Sequence, residues 1–242
     1  MRIEISLCAL LIFAFNVNYG QEIFNGSFLM TFASSTNAGD YPMLWNVEPD
    51  STGGRMALEI QDEMTRKGIS KRILFNPSDS TWTMLMEYNK VKQGSRIHAA
   101  DMYRPKTKKV KQKKITKTLT NSRKRIEGYT CKKIVLESED YYSEIWYTES
   151  LKFDLAKIYN LLSHCGMISD FVKTGEWYKS EKFPGMILEV FSQNKSTEEF
   201  YTLTLSQLKP GQINESFFTT AGFRISDIPE GQNCGTVLKT ED

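Results

Sequence analysis

Period-two alternation of apolar and polar residues is the feature of this chain that most constrains its fold. In the stretch SFLMTF, Phe28, Met30 and Phe32 occupy every second position, and the stretch PMLWNV repeats this spacing. Successive side chains of a β-strand point to opposite faces of a sheet, so each stretch predicts a strand with one buried face.

Two later segments continue the pattern and supply the residues of greatest functional interest. RMALEIQ alternates cleanly, and KRILFNPSDSTWTMLMEY predicts a hairpin with its turn at NPSDS. In the second arm of that hairpin, Leu85 is an apolar exception on the otherwise polar face. The apolar residues that we expect to line the interior of the sheet here are Met56, Leu58, Trp82, Met84 and Met86.

Further hairpins are predicted in the second half of the chain. YTCKKIVLESEDYYSEIWYT places its turn at Ser138–Asp140, and GMILEVFSQNKSTEEFYTLTLSQL turns near residues 194–197. Between the two halves, Ile115–Thr120 is rich in threonine and predicts a strand, while NSRKR after it is interpreted as a turn.

Helical signals are few. Leu151, Leu155, Ile158 and Leu162 recur at helical spacing and predict one amphipathic helix that covers a side of the sheet. A shorter helix is expected near residues 214–219, after the Pro210-Gly211 break. The predicted fold is therefore mainly β (α+β), a strongly curved antiparallel sheet or unclosed β-barrel with one or two covering helices.

The N-terminus has the form of an export signal. Arg2 precedes an apolar run from Ile5 to Phe15, which is the length of a signal-peptide core and too short for a membrane span. We expect residues 1–20 to be a signal peptide, 22–228 a single curved β domain, and 229–242 a polar, loose tail. The mature chain is expected to be exported and soluble.

The chain lacks the sequence patterns of familiar catalytic sites. It contains no nucleophile elbow, phosphate loop, zinc-protease helix or calcium-binding loop, and no CxxC pair. A nucleophilic pair of Cys165 and His98 is conceivable, but ordinary structural roles are the preferred interpretation. Cys131, Cys165 and Cys234 allow at most one internal disulfide, whose pairing the sequence leaves open. We therefore predict a non-catalytic protein with no cofactor and no metal.

The methionine and tryptophan residues of the predicted inner face allow two interpretations. Flexible, polarisable methionine suits a cavity that adapts to apolar ligands, and the same residues also serve as ordinary core filling. The first interpretation predicts a binding protein for apolar ligands. The second predicts a structural or protein-interaction module with a filled core.

A basic stretch interrupts the middle of the chain. Residues 104–125 hold eleven of the 31 lysines and arginines, so the rest of the chain has 20 basic against 29 acidic residues, a balance of −9. Because an exported protein does not meet nuclear importers, we exclude nucleic acid as a partner. The stretch is either a solvated loop or a contact with an anionic membrane surface. The lysines expected to make that contact are Lys108, Lys109, Lys111, Lys113 and Lys114.

The order of several motifs resembles a known family. The motifs are FNGSFLMTF, RILFNPSDSTWTMLMEY, RIEGYTCKKIVLES followed by SEIWYTESL, FPGMILEVFS, and FYTLTLSQLK. Together, from Phe24 to Phe223, they resemble the exported bacterial domain-of-unknown-function 4412 family, which is similar to the LolA-like lipoprotein-carrier superfamily. The resemblance implies an unclosed antiparallel barrel with helices on its concave side and a Gram-negative envelope location, so the exported chain is expected in the periplasm or outside the cell. The family has no established activity, and the resemblance therefore adds no catalytic residues. In lipoprotein carriers the concave side receives acyl chains, so the resemblance implies a lipid or acylated ligand.

Overall fold

The computed structural model describes residues 21–35, 37–48, 54–76, 81–98, 114–155 and 183–228. The predicted signal peptide and polar tail lie outside these residues. Strands dominate the part of the chain that is described. In chain order they are β1 (Glu22–Ile23), β2 (Gly26–Ser34), β3 (Asn37–Glu48), β4 (Arg55–Ile60), β5 (Ser70–Asn76), β6 (Thr81–Tyr88), β7 (Val91–His98), β8 (Thr116–Ile126), β9 (Tyr129–Glu137), β10 (Tyr141–Thr148), β11 (Leu151–Lys152), β12 (Met186–Asn194), β13 (Phe200–Pro210) and β14 (Arg224–Asp227).

Twelve of these strands form one curved, unclosed sheet. Its order is β14-β7-β6-β5-β4-β3-β2-β13-β12-β10-β9-β8. Strands β2 to β7 follow one another as antiparallel neighbours. A second antiparallel series consists of β8, β9, β10, β12 and β13, and it joins the first where β13 pairs with β2. β14 pairs with β7 in parallel, and β1 with β11 forms a separate parallel pair. The predicted mainly β, unclosed curved sheet is confirmed.

One face of the sheet, which we call the inner face, carries the hydrophobic core. Cross-strand register places Phe28, Trp45 and Leu58 side by side in one row across β2, β3 and β4. All three side chains are buried, as are the apolar residues that alternate with polar ones on β12 and β13. The period-two pattern therefore identified the buried face of the sheet correctly.

The expected covering helices are not found among the described residues. Leu151 belongs to strand β11, because its backbone aligns with Glu22 in a parallel bridge, and Leu155 is buried. Ile158 and Leu162 of the predicted helix lie outside the described residues. Near residues 214–219 the chain forms only a three-residue 3-10 helix, Glu215–Phe217, with no buried residue.

That 3-10 helix is capped at its N-terminus. The Asn214 side chain accepts a hydrogen bond from the Ser216 N–H at 3.1 Å, which satisfies one of the N–H groups that have no partner within the first turn. Gly222 ends the region in the left-handed conformation at φ +80°. A four-residue α-helix, α1 (Glu63–Arg66), was not predicted.

The interpretation of NSRKR as a turn is wrong. Strand β8 continues through these residues to Ile126, with a register shift between Leu119 and Arg123 that accommodates the extra length. The reversal occurs instead at Glu127 and Gly128, which have φ values of +49° and +85°. A two-residue hairpin turn needs this left-handed backbone, and glycine supplies it without strain.

The opposite face of the sheet, which we call the outer face, is covered over β4 to β7 by residues 211–223, the cover segment, which leads into the edge strand β14. The Arg72 guanidinium donates to the Ser216 carbonyl at 2.6 Å, and Arg55 binds both carboxylate oxygens of Glu215 at 2.8 and 2.9 Å. A side chain at Gly94 would collide with Leu85 and with Ile225 of β14, so these three residues pack closely. Leu85, the apolar exception on the polar face of its strand, is only 3% exposed and is therefore buried on the outer face.

The outer face of β8 to β12 carries a polar network around Trp146. The Lys124 ammonium lies 4.4 Å from the ring centre of Trp146 and 2.7 Å from a carboxylate oxygen of Glu189. On the other side, Glu144 accepts hydrogen bonds from Lys133 at 3.2 Å and from the Tyr142 hydroxyl at 2.6 Å. These contacts connect four neighbouring strands on the solvent side of the sheet.

Candidate ligand-binding face

The five residues predicted to line an apolar interior all lie on the inner face. Met56 and Leu58 stand opposite Phe75 and Ile73 of β5, which in turn stand opposite Trp82 and Met84 of β6. Leu58 and Trp82 are buried in the core. Met56 and Met84 are partly buried against it, and Met86 is exposed.

Along β6 the inner face changes from buried to exposed. Trp82 is 3% exposed, Met84 is partly buried, and Met86 and Tyr88 reach 37% and 48% exposure. Val91, directly opposite Tyr88 on β7, is 55% exposed. Alternate residues of one strand share a face, so these side chains form one apolar column that opens to solvent at the β6–β7 turn.

The open end of this column carries positive charge. Asn89 and Lys90 form the turn, both with left-handed backbone, and Lys90 is exposed. Lys71 stands directly opposite Met86 and lies 3.2 Å from a carboxylate oxygen of Asp62. Burial would raise the pKa of Asp62, but the Thr65 N–H and the Lys71 ammonium outweigh it and hold that pKa below its ordinary value.

Two polar atoms are buried on the inner face without a partner. The indole nitrogens of Trp45 and Trp82 have no hydrogen-bond partner and no contact with solvent. Leaving a buried donor unpaired costs about 1–3 kcal/mol, and such donors in folded proteins call for an explanation such as water or a ligand. An acceptor oxygen delivered to this face would satisfy them.

An aromatic cluster covers the part of the inner face that is formed by β2 and β3. Phe24 and Phe153 both meet Phe28 edge-to-face, with ring centres 5.6 and 5.5 Å apart, and Phe28 stacks on Trp45 at 6.1 Å. Phe24 and Phe153 follow strands β1 and β11, so the small parallel pair positions this aromatic cover over β2 and β3.

Of the lysines expected to contact a membrane, Lys108, Lys109, Lys111 and Lys113 lie outside the described residues. Lys114 is exposed immediately before β8. Strand β8, which follows Lys114, is also basic. Its Lys117 and Arg123 are exposed, and it contains no acidic residue.

Groups with nucleophilic chemistry are not brought together among the described residues. His98 is exposed at the end of β7, whereas His164, Cys165 and Cys234 lie outside the described residues. Cys131 is a buried free thiol, and burial raises its pKa, which disfavours the reactive thiolate. The described ranges contain no cluster of three metal-ligating side chains and no helix long and apolar enough to cross a bilayer.

Sequence reasoning missed a cavity on the outer face, between the sheet and the cover segment. Thr83 and Arg96 line it, and they are direct cross-strand neighbours on β6 and β7. Thr83 lies on the polar face of β6 that Leu85 interrupts. Leu85 was the one signal that this face is covered, but the sequence did not indicate which segment covers it. Strand β7 was not predicted, because it has a single buried apolar residue, Ile97.

No curated protein has significant sequence similarity to this chain. Distant likenesses to solved structures exist. PNGF-II is 12% identical with a TM-score of 0.37 over 87% of this chain, which spans only 31% of the PNGF-II chain. MucB is 12% identical, with a TM-score of 0.43, over 84% of this chain and 60% of MucB. The Mycobacterium tuberculosis lipoprotein LppX is 8% identical, with a TM-score of 0.36, over 78% of this chain and 90% of LppX.

The comparison with protein families is decisive where the structural likenesses are distant. The family described as "Domain of unknown function (DUF4412)" matches residues 24–221, which is well over half of the chain and nearly the range over which its motifs predicted the resemblance. The chain therefore belongs to the DUF4412 family.

Proposed function

We propose that this chain is an exported, non-catalytic envelope protein that binds the acyl chain of a lipid or acylated ligand on its inner face. The observation that carries the proposal is the apolar column on β6, which runs from buried Trp82 to exposed Tyr88. Each methylene buried against such a surface contributes about 0.8 kcal/mol, so a chain of several methylenes would bind with useful affinity.

Three other features support the proposal. The indole N–H groups of Trp45 and Trp82 lack acceptors, and the ester or amide oxygen of an acylated ligand would supply one. Lys90, at the open end of the column, would face an anionic headgroup. The apolar run from Ile5 to Phe15, within the predicted signal peptide of residues 1–20, supports export to the periplasm or cell exterior.

The experiment is a binding titration with a fluorescent fatty-acid probe, together with mass spectrometry of lipids that accompany the protein purified from bacterial membranes. Met86→Lys places a charge in the apolar column and should weaken probe binding by about tenfold or more. The matched control is Leu119→Lys, because Leu119 is equally apolar and 64% exposed, but on the distant edge strand β8. Absence of both co-purified lipid and probe binding would refute the proposal.

A second candidate is a structural or protein-interaction module with a filled core. It is favoured by the near-complete burial of inner-face residues such as Leu58 and Leu203. This candidate predicts that the probe does not bind, that Met86→Lys has no effect on ligand content, and that a protein partner from the envelope is retained in a pull-down.

We further propose that the basic segment containing Lys108, Lys109, Lys111, Lys113 and Lys114 contacts an anionic membrane surface. Exposed Lys114 and the basic edge strand β8 support this, since lysines near an anionic bilayer contribute about 1 kcal/mol each. Binding to anionic liposomes should be sensitive to salt and should fall when the five lysines are changed to glutamine. If binding is unchanged, the segment does not contact the membrane and is only a solvated loop.

A further inference from the structure

The outer-face cavity is separate from the apolar column on the inner face. It is open to solvent on one side and has a volume of about 490 Å³, within the range of small-molecule sites. Leu74 and Thr83 line it from β5 and β6, Arg96 from β7, and Phe218 from the cover segment. Leu74, Thr83 and Arg96 lie in one row across the sheet, so the cavity has an apolar part next to a hydroxyl and a guanidinium.

The Thr83 side chain lines this cavity at the centre of the row, between Leu74 and Arg96. The whole residue is only 6% exposed, so the sheet and the cover segment hold it in place. A threonine hydroxyl can both donate and accept a hydrogen bond. Thr83 therefore offers a hydroxyl to a ligand next to the Arg96 guanidinium.

Arg96, the cross-strand neighbour of Thr83, retains binding capacity. Its nearest carboxylate is that of Asp227, at 3.9 Å, and Asp227 is largely exposed to solvent. Arg55, the other arginine of the cavity, is already paired with Glu48 and with both oxygens of Glu215. Because its one carboxylate partner is distant, the Arg96 guanidinium can still form a bidentate ion pair with the carboxylate of a ligand.

The charges and polar groups of the lining limit the kind of ligand. Glu48 also lines the cavity and would repel a second anionic group on the same molecule. The Thr220 side chain adds a further hydroxyl to the lining. These groups match a small molecule with one carboxylate and several hydroxyls.

We propose that the outer-face cavity binds a hydroxylated monocarboxylate, with the chemistry of a sugar acid, and that Arg96 and Thr83 hold its carboxylate. Nothing in the inner-face proposal requires this second site. The apolar column takes an acyl chain, whereas this cavity selects for one negative charge and for hydroxyl groups.

The test is an NMR-detected titration with D-glucuronate and D-glucose, two sugars that differ in whether C6 is a carboxylate or a hydroxymethyl group. Glucuronate should bind about tenfold more tightly than glucose, as a charge-assisted hydrogen bond predicts. Arg96→Gln should bring the two affinities together. Thr83→Val, which keeps the shape and removes the hydroxyl, should weaken glucuronate about fivefold.

Arg123→Gln is the matched control, because it removes the same charge from the exposed surface of β8, far from the cavity lining. It should leave the preference for glucuronate unchanged. Circular dichroism of each variant verifies that the sheet is intact. Equal binding of the two sugars to the unaltered protein, no binding of either, or a preference that survives Arg96→Gln would each overturn the proposal.

Discussion

The hydrogen bond from Tyr142 to Glu144 should make the stability of this protein fall at alkaline pH. The Glu144 carboxylate accepts the Tyr142 hydroxyl at 2.6 Å, and this bond, together with burial, raises the pKa of Tyr142 from 10.0 to about 12. The perturbation is Tyr142→Phe, which removes the hydroxyl and leaves the ring in place between β9 and β12.

The direction follows from linkage between protonation and folding. Because the folded state has the higher pKa, it holds the phenol proton more tightly than the unfolded chain. The resulting stabilisation is complete below about pH 10 and is lost as pH rises through about 12. Two pKa units correspond to at most about 2.7 kcal/mol, and partial exposure of both groups reduces the expected contribution to about 1 kcal/mol.

The assay is urea unfolding of the unaltered protein and of Tyr142→Phe at a series of pH values from about 8 to about 12. The other tyrosines titrate in both proteins, so their contributions cancel when one free energy of unfolding is subtracted from the other. This difference in the free energy of unfolding should be about 1 kcal/mol at the lowest pH of the series and should shrink towards zero at the highest pH. The same comparison in a Glu144→Gln background should show little dependence on pH, because the acceptor charge is gone. A difference that stays constant across the series would refute the reasoning.

Three further outcomes are expected. Gly185→Ala should cost about 3 kcal/mol of unfolding free energy, since a methyl group there would collide with the Thr148 carbonyl, whereas Gly128→Ala, with open space around it and φ +85°, should cost only about 1 kcal/mol. The buried thiol of Cys131, whose pKa is raised by burial, should react with Ellman's reagent in denaturant but not in the native state. Arg55→Gln should free the cover segment from its carboxylate and aromatic contacts, and limited proteolysis should then cleave that segment about two- to fivefold faster.

The sequence predicted the strands that bury one face and failed where burial or pairing depended on distant residues. β2 and β3 were recognised because alternate apolar residues such as Phe28 and Trp45 face one core. β7 was missed because Ile97 is its one buried apolar residue, and its backbone is held by β6 and β14 on either side. Leu151 has helical spacing from later leucines, but its pairing with Glu22, across most of the chain, places it in a strand.

The candidate site divides in the same way. Period two was sufficient to place Trp82, Met84 and Met86 on one face, because that information is local. The gradient of exposure along this face depends on which strands and segments lie above it. The outer-face cavity depends on the cover segment, whose residues carry no periodic signal that would associate Phe218 with Arg55.

The pairing of β2 with β13 has a consequence for how the protein is made. These strands are neighbours in the sheet, yet one is near the start of the chain and the other near its end. The hairpins from β2 to β7 can form as they emerge, but the apolar strand β2 has an open edge until β13 has been synthesised. An open apolar edge is a template for aggregation, and pairings so distant in sequence form slowly. Newly made chains should therefore depend on chaperone protection until their C-terminal half arrives.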